Sequence, residues 1–194
     1  MTLYHSCSEK PEVGNHMLFD RFVFFTGYHQ QTRGSMVFKL EDTDQFDIID
    51  VSTIFDDSDD FTDEQAEAID KLIQRAKKIV KRETGYTVSD ATAKGLIDQS
   101  ISIEDHEELI IDIFKIDEDE FEDRMSYLTE IQYRSDTFDV DWSPEAAWQL
   151  QMLGCQAARA LGFDGVELQD EMGNSTAIWL EGKDDLLIEC TDDE

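Results

Sequence analysis

Apolar residues come in short aromatic or β-branched runs at both ends of this chain and at helical spacing through its middle. That order constrains the fold more than any other feature, because a period near two and a period near 3.6 cannot be satisfied by the same backbone. Residues 2–8, the run Phe22 to Thr26, residues Met36 to Leu40 and residues Phe46 to Val51 read as strands. From Thr62 the pattern turns helical. Thr62 and Gln65 form a capping box, Ile69, Leu72, Ile73, Ala76 and Ile79 or Val80 follow on one face, and Gly85 ends the segment. Further helices are predicted over 90–99, 104–114 and 119–132.

The clearest helix is the last. Ser143 caps it, Pro144 occupies its first position, and Gly162 stops it. Ala147, Leu150, Gly154, Ala157 and Leu161 give it one apolar stripe. Residues 165–170 and 175–180 then read as a hairpin whose turn contains Gly173 and Asn174. Strands, helices, one more helix and a hairpin, in that order, make an α+β chain rather than an alternating βαβ array. With 194 residues, 40% of them hydrophobic, and no Gly/Ser-rich linker, a single domain over residues 1–194 is expected.

Charge excludes several functions. Asp and Glu number 46 against 16 Lys and Arg, a formal net charge of -30. Such a surface repels phosphate backbones and anionic lipids, so direct nucleic-acid and membrane binding are not expected. A basic protein, one that itself binds nucleic acid, is the expected partner. The competing explanation is solubility alone. Three cysteines at long spacing (Cys7, Cys155, Cys190) form neither a disulfide framework nor a zinc ribbon. No charged leader precedes an apolar stretch, and no apolar run approaches the ~20 residues of a membrane span. The expected compartment is the cytoplasm, that of the host cell if the chain is phage-encoded.

No phosphate-cradling glycine loop and no HExxH is present, and no metal site is expected. Asp56, Asp57, Asp59 and Asp60 lack the central Gly and terminal Glu of a calcium loop and read as a solvated loop. Lys71, Arg75, Lys77, Lys78, Lys81 and Arg82 crowd the second half of one helix, where the helix dipole favours them.

Two blocks carry a resemblance. The stretch from Ala160 to Thr176, reading A-L-G-F-D-G-V-E-L-Q-D-E-M-G-N-S-T, resembles the end of ADP-ribosyltransferase-like domains found in phages and mobile elements. Trp148-Gln-Leu-Gln, Leu161-Gly-Phe and Asp170-Glu-Met-Gly bring it closer to the phage anti-CRISPR proteins that ADP-ribosylate a CRISPR surveillance complex. At the other end, Tyr4-His5-Ser6-Cys7 and Phe24-Phe25-Thr26-Gly27 resemble the first strand and the aromatic strand of such domains, with Ser6 where they usually carry Gly. The resemblance covers about the first 40 and the last 45 residues, and residues 55–140 stand outside it as a possible helical insertion.

The resemblance implies a split, mostly antiparallel β core surrounded by helices, and an NAD-dependent mono-ADP-ribosyltransferase that modifies a protein, with NAD as substrate. It also implies the site. Asp170 or Glu171 would stabilise the oxocarbenium-like ribose; Asp170 aligns with the anti-CRISPR relatives, while Glu171 completes the Gln169-Asp170-Glu171 form of the [Q/E]-x-E motif. His5 would hold the ribose or the nicotinamide amide, with Ser6 beside it. Phe25 or Tyr28 would stack on nicotinamide, and Thr26 and Gly27 would line the cleft. Two other readings fit the same residues: a non-catalytic acidic inhibitor that imitates nucleic acid, and an NAD glycohydrolase.

Overall fold

The computed structural model describes residues 2–7, 21–28, 36–103, 107–123, 142–170 and 173–190. The chain is α+β. It divides into two compact units, Met1–Phe61 with Gly154–Glu194, and Thr62–Leu153.

The first unit holds the strands. β1 (Leu3–Cys7), β3 (Met36–Leu40) and β7 (Leu187–Glu189) form a three-stranded antiparallel sheet in the order β1-β3-β7. β2 (Phe22–Phe25), β6 (Gly173–Trp179), β5 (Gly165–Asp170) and β4 (Ile48–Asp50) form a second, in the order β2-β6-β5-β4. Among the described residues, only the β4–β5 ladder is parallel. The strand core is thus split and mostly antiparallel. A bridge ties the two sheets, where the Tyr4 and Thr26 amides each donate to the other's carbonyl at 2.8 Å.

Register decides which side chains meet. In an antiparallel ladder, directly paired residues share a face. Leu3 pairs with Leu40, and Leu40 with Leu187; on the other sheet, Val23 pairs with Ile178. These residues, with Phe25, Phe38, Phe46 and Leu180, make one apolar core between the facing sides of the two sheets. The same register keeps Cys7 and Cys190 apart. Ser6 and Cys190 both sit opposite Val37, on either side of the central strand, so Cys7 lies on the other face. No disulfide joins the three cysteines, and burial pushes the Cys155 thiol far up.

The second unit holds helices. α1 (Asp63–Thr84) begins with the capping box: the Gln65 amide donates to Thr62 Oγ1 at 3.2 Å, and the Thr62 amide donates to Gln65 Oε1 at 3.0 Å. It ends at Gly85, whose φ of 79° suits glycine. Its buried residues are the predicted stripe, Ile69 to Val80. α2 (Asp90–Ile97) is capped by Ser89 and is two residues shorter than expected, and α3 (Glu107–Phe114) starts after residues 104–106, which lie outside the described residues. Residues 118–123 are helical; the rest of the predicted 119–132 helix lies outside the described residues.

The cations on α1 have acidic neighbours: Lys71 pairs with Glu67 at 2.8 Å, Lys77 with Asp90 at 2.6 Å and Arg82 with Glu83 at 2.6 Å. The Asp56–Asp60 loop is exposed, as a solvated loop should be.

α4 (Pro144–Leu161) is capped by Ser143, whose hydroxyl accepts from the Ala146 amide at 3.2 Å. It closes in a Schellman motif: the Phe163 amide reaches the Ala158 carbonyl at 3.0 Å, and Gly162, at φ 107°, reaches Arg159 at 3.1 Å. Its burial is broader than one stripe. Ala146, Leu153, Cys155 and Ala158 are buried along with Leu150 and Ala157, whereas Ala147 and Leu161 are only half-buried.

The hairpin forms as expected, with one correction. Asn174 pairs with Gln169 and Gly173 with Asp170, so both belong to β6 rather than to the turn. The strand begins two residues early because the glycine's φ of 109° extends the ladder without a side-chain clash.

Candidate functional site

The Tyr4–Thr26 bridge fixes the place where the first-strand and aromatic-strand motifs meet. One residue along from it, the His5 Nδ1–H donates to the Phe24 carbonyl at 2.7 Å. That bond selects the tautomer of the neutral ring. The ring stands edge-on to Phe25, with centroids 6.0 Å apart, and Nε2 is buried. His5 therefore pins β1 to β2 from inside the inter-sheet layer. Ser6 is exposed and, by alternation, faces away from His5. The two cannot present side chains to one ligand from the same face.

Of the two aromatic candidates for stacking, only Tyr28 has an accessible ring. Phe25 is 1% exposed and is part of the apolar core; packing consumes both of its faces. Tyr28 is 48% exposed. The local backbone is held for it, because Thr26 Oγ1 donates to the Tyr28 carbonyl at 2.9 Å across Gly27. Gly27 is exposed beside it.

Asp170 is the last residue of β5 and pairs with Gly173. Glu171 lies outside the described residues. Register relates Asp170 to the β2 motif. Phe25 pairs with Thr176, and Thr176 with Glu167, so the chain beyond Phe25 and the β5 terminus run toward the same end of the sheet. At about 3.3 Å per residue and 4.8 Å per strand, the Asp170 backbone stands three residues along from the Phe25 row and two strands across, roughly 14 Å from Phe25. The structure thus brings His5, Phe25, Thr26, Gly27 and Tyr28 together and sets the end of β5 at the Tyr28 end of the same sheet.

The structure also exposes Glu167 and Asn174, to which the resemblance gives no role, on the same face as Gln169. On the core-facing side of β6, Leu180 and Ile178 are fully buried, Thr176 is 9% exposed, and Asn174 is exposed. On β5 the same face carries Gly165, then Glu167 and Gln169, both exposed. The apolar covering ends at Thr176, and beyond it the face is polar. Period-two alternation in G-V-E-L-Q-D was the signal: Val166 and Leu168 are buried on one side while Glu167 and Gln169 are open on the other.

At the opposite end of the sheet, Trp179 lies between two guanidinium groups, Arg159 at 5.2 Å and Arg21 at 5.6 Å from the ring centroid, with Phe22 edge-on at 5.1 Å. Arg21 pairs with Glu181, and Asp164 receives Lys183 at 3.4 Å and Arg159 at 3.7 Å. This corner closes the sheet by cation–π and ion-pair contacts. Among the described residues, no group of His, Cys, Asp and Glu is arranged to hold a metal ion, and no helix is long and apolar enough to cross a membrane.

No protein-family model matches the chain, and no curated protein matches it. Among solved structures, the chain aligns with the crystal structure of an anti-CRISPR protein at 13% identity and a TM-score of 0.43, over 98% of this chain and 95% of that chain.

Proposed function

We propose that the chain is an NAD-dependent mono-ADP-ribosyltransferase acting on a basic protein, of the type phages direct against a CRISPR surveillance complex. The observation that carries this reading is the junction at Tyr4–Thr26. The two N-terminal motifs, 22 residues apart, meet there, and an exposed aromatic follows on a braced turn. The motif around Asp170 ends a strand of the same sheet.

The reaction breaks the bond between nicotinamide and the ribose carbon. Nicotinamide leaves with the bonding electrons, the sugar becomes oxocarbenium-like, and a nucleophile on the acceptor protein forms the new bond and sheds its proton. A carboxylate at the end of β5 favours the developing positive charge. Tyr28 offers its ring to the flat nicotinamide, and Gly27 allows close backbone approach. His5 acts as a positioning residue that holds the strand junction.

The test is the intact mass of candidate basic partners after incubation with NAD and the chain. One added ADP-ribose per acceptor is expected, and its loss with Asp170→Asn. An unchanged partner mass alongside consumption of NAD identifies a glycohydrolase instead. The net charge of -30 favours a second reading, an acidic inhibitor that occupies a nucleic-acid groove without chemistry. Inhibition of the partner at full strength without NAD selects that one.

A further inference from the structure

We propose that α1 pairs antiparallel with the α1 of a second copy of the chain, the acidic half of each helix lying against the basic half of the other.

Three observations carry it. First, α1 divides its exposed charge by sign. Asp63, Glu64, Glu67 and Asp70 are exposed in its first half, and Lys71, Arg75, Lys78, Lys81 and Arg82 in its second. The helix dipole accounts only for the ends of this pattern, because its effect falls off within the first and last turns. The boundary between Asp70 and Lys71 lies in the middle of a 22-residue helix. Secondly, the division works against the helix taken alone. Asp63 with Glu67, Lys71 with Arg75, and Lys78 with Arg82 are i,i+4 neighbours of like charge, each unfavourable in an isolated helix. Lys71 and Arg82 meet Glu67 and Glu83 of their own helix, but among the described residues Asp63, Glu64, Asp70, Lys78 and Lys81 make no ion pair. Rows of like charge are rewarded only by opposite charge brought from outside. Thirdly, the two halves match about one point. Asp63 with Lys81, Glu64 with Arg82, and Glu67 with Lys78 are each centred within a residue of the Leu72–Ile73 peptide. They are 18, 18 and 11 residues apart, close to whole numbers of turns, so both members of a pair lie on one flank of the exposed stripe.

That register selects the occupant. A two-fold axis level with the Leu72–Ile73 peptide, on the exposed side of α1, sets each of these acids against a base of the other copy, and symmetry makes every contact twice. A basic partner would meet only the acidic half and an anionic partner only the basic half. Near the axis one flank is unfavourable, because Lys71 and Arg75 approach their own copies there; Glu67, which pairs with Lys71 at 2.8 Å, offsets this. The contact is about 33 Å long and has no apolar centre, which places it in the weak, transient class. Each copy carries a net charge of -30, so long-range repulsion opposes pairing. At physiological salt that repulsion is screened beyond about 8 Å, whereas the paired groups touch.

The experiment is sedimentation equilibrium of the full chain, without NAD, from about 10 µM to about 1 mM, a range that brackets a weak dimer. A concentration-dependent dimer is expected at about 0.15 M salt. Less of it should form at about 0.01 M, where a Debye length of ~30 Å lets the whole chains repel, and less again at about 1 M, where the paired charges are themselves screened. Glu67→Lys and Lys78→Glu should each weaken the dimer about tenfold, because each turns two attractive contacts into two repulsive ones. Glu67→Lys also lowers the overall negative charge, so general repulsion cannot produce its loss. Mixing the two variants in equal amounts should restore the dimer, since the mixed pair again sets opposite signs at positions 67 and 78. Glu67→Gln and Lys78→Gln, which remove charge without reversing it, should give smaller losses and replace either reversal that unfolds the helix. A monomer throughout, a dimer indifferent to all four substitutions, or no recovery on mixing folded variants overturns the proposal. Because NAD is absent, the outcome is independent of whether the chain transfers ADP-ribose.

Discussion

Asp112 ties α3 to the start of α2, and removing its charge should loosen the helical unit in a pH-dependent way. Its Oδ2 accepts from the Ser89 amide and from Thr92 Oγ1, both at 2.6 Å, and its Oδ1 pairs with Lys115 at 2.5 Å. Partial burial alone would raise the Asp112 pKa. The hydrogen bonds from Lys115, Thr92 and Ser89 outweigh it and hold the carboxyl down, from 3.8 to about 2. Each pKa unit corresponds to about 1.4 kcal/mol, and solvent around the exposed Lys115 screens part of the interaction, so about 1–2 kcal/mol is expected. The sign follows from the depressed value: the contribution is complete above the unfolded pKa near 4 and disappears as pH falls through about 2. Asp112→Asn should therefore lower stability by about 1–2 kcal/mol at pH 7, measured by urea unfolding followed at the helical circular-dichroism band. The difference between wild type and variant should shrink between pH 4 and pH 2. Working with the difference cancels the general effect of protonating the other acids. A difference that stays constant across that range would show that the charge of Asp112 contributes nothing and that the loss is one of shape.

Phe25→Ala should cost about 3–5 kcal/mol, because it empties a fully buried core position, whereas Tyr28→Ala should leave the unfolding midpoint within about 0.5 kcal/mol and abolish NAD binding measured by calorimetry. Asp170→Asn should eliminate transfer in the mass assay with the fold retained; full transfer by Asp170→Asn together with none by Glu171→Gln would move the catalytic role to Glu171. Association with a basic partner should slow clearly from low to physiological ionic strength in stopped-flow measurements while NAD affinity changes little, and a salt-insensitive rate would reduce the charge to a solubility device.

The helices were legible because each carries its own stop signs. Thr62 with Gln65, Ser143 with Pro144, and the glycines at 85 and 162 act within one turn of where they stand, and the structure uses every one. The strands were legible as segments, but their partners were not. Nothing in the local pattern of Tyr4-His5 announces a bridge to Thr26, 22 residues on, or a sheet order in which β6 separates β2 from β5. Phe25 illustrates the consequence. Phe-Val-Phe-Phe reads as a buried strand, and any of its rings could be assigned to a ligand until register shows which face meets the other sheet. Gly173 and Asn174 have turn chemistry, yet the ladder continues through them.

Charge and chemistry are separable in this chain, and their arrangement says why both matter on the proposed reading. From Glu41 to Asp70 there are thirteen acids and no Lys or Arg, while Lys71 to Arg82 gathers six cations within one helix. The acidity is therefore concentrated in blocks rather than scattered, and a block keeps its field where dispersed opposite charges would cancel it. Such a field raises the rate of encounter with a basic surface, but it falls off within about 8 Å at physiological salt, so it cannot choose which partner residue reaches the ribose. That choice needs short-range contacts. On the proposed reading, the end of β5, where Asp170 pairs with Gly173, is the place for them. Neutralising the Asp56, Asp57, Asp59 and Asp60 block by Asp→Asn substitution should consequently slow capture without changing which residue is modified, read by peptide mapping of the modified partner. A change of modified residue in the neutralised variant would show that the field itself selects the acceptor and would refute this division.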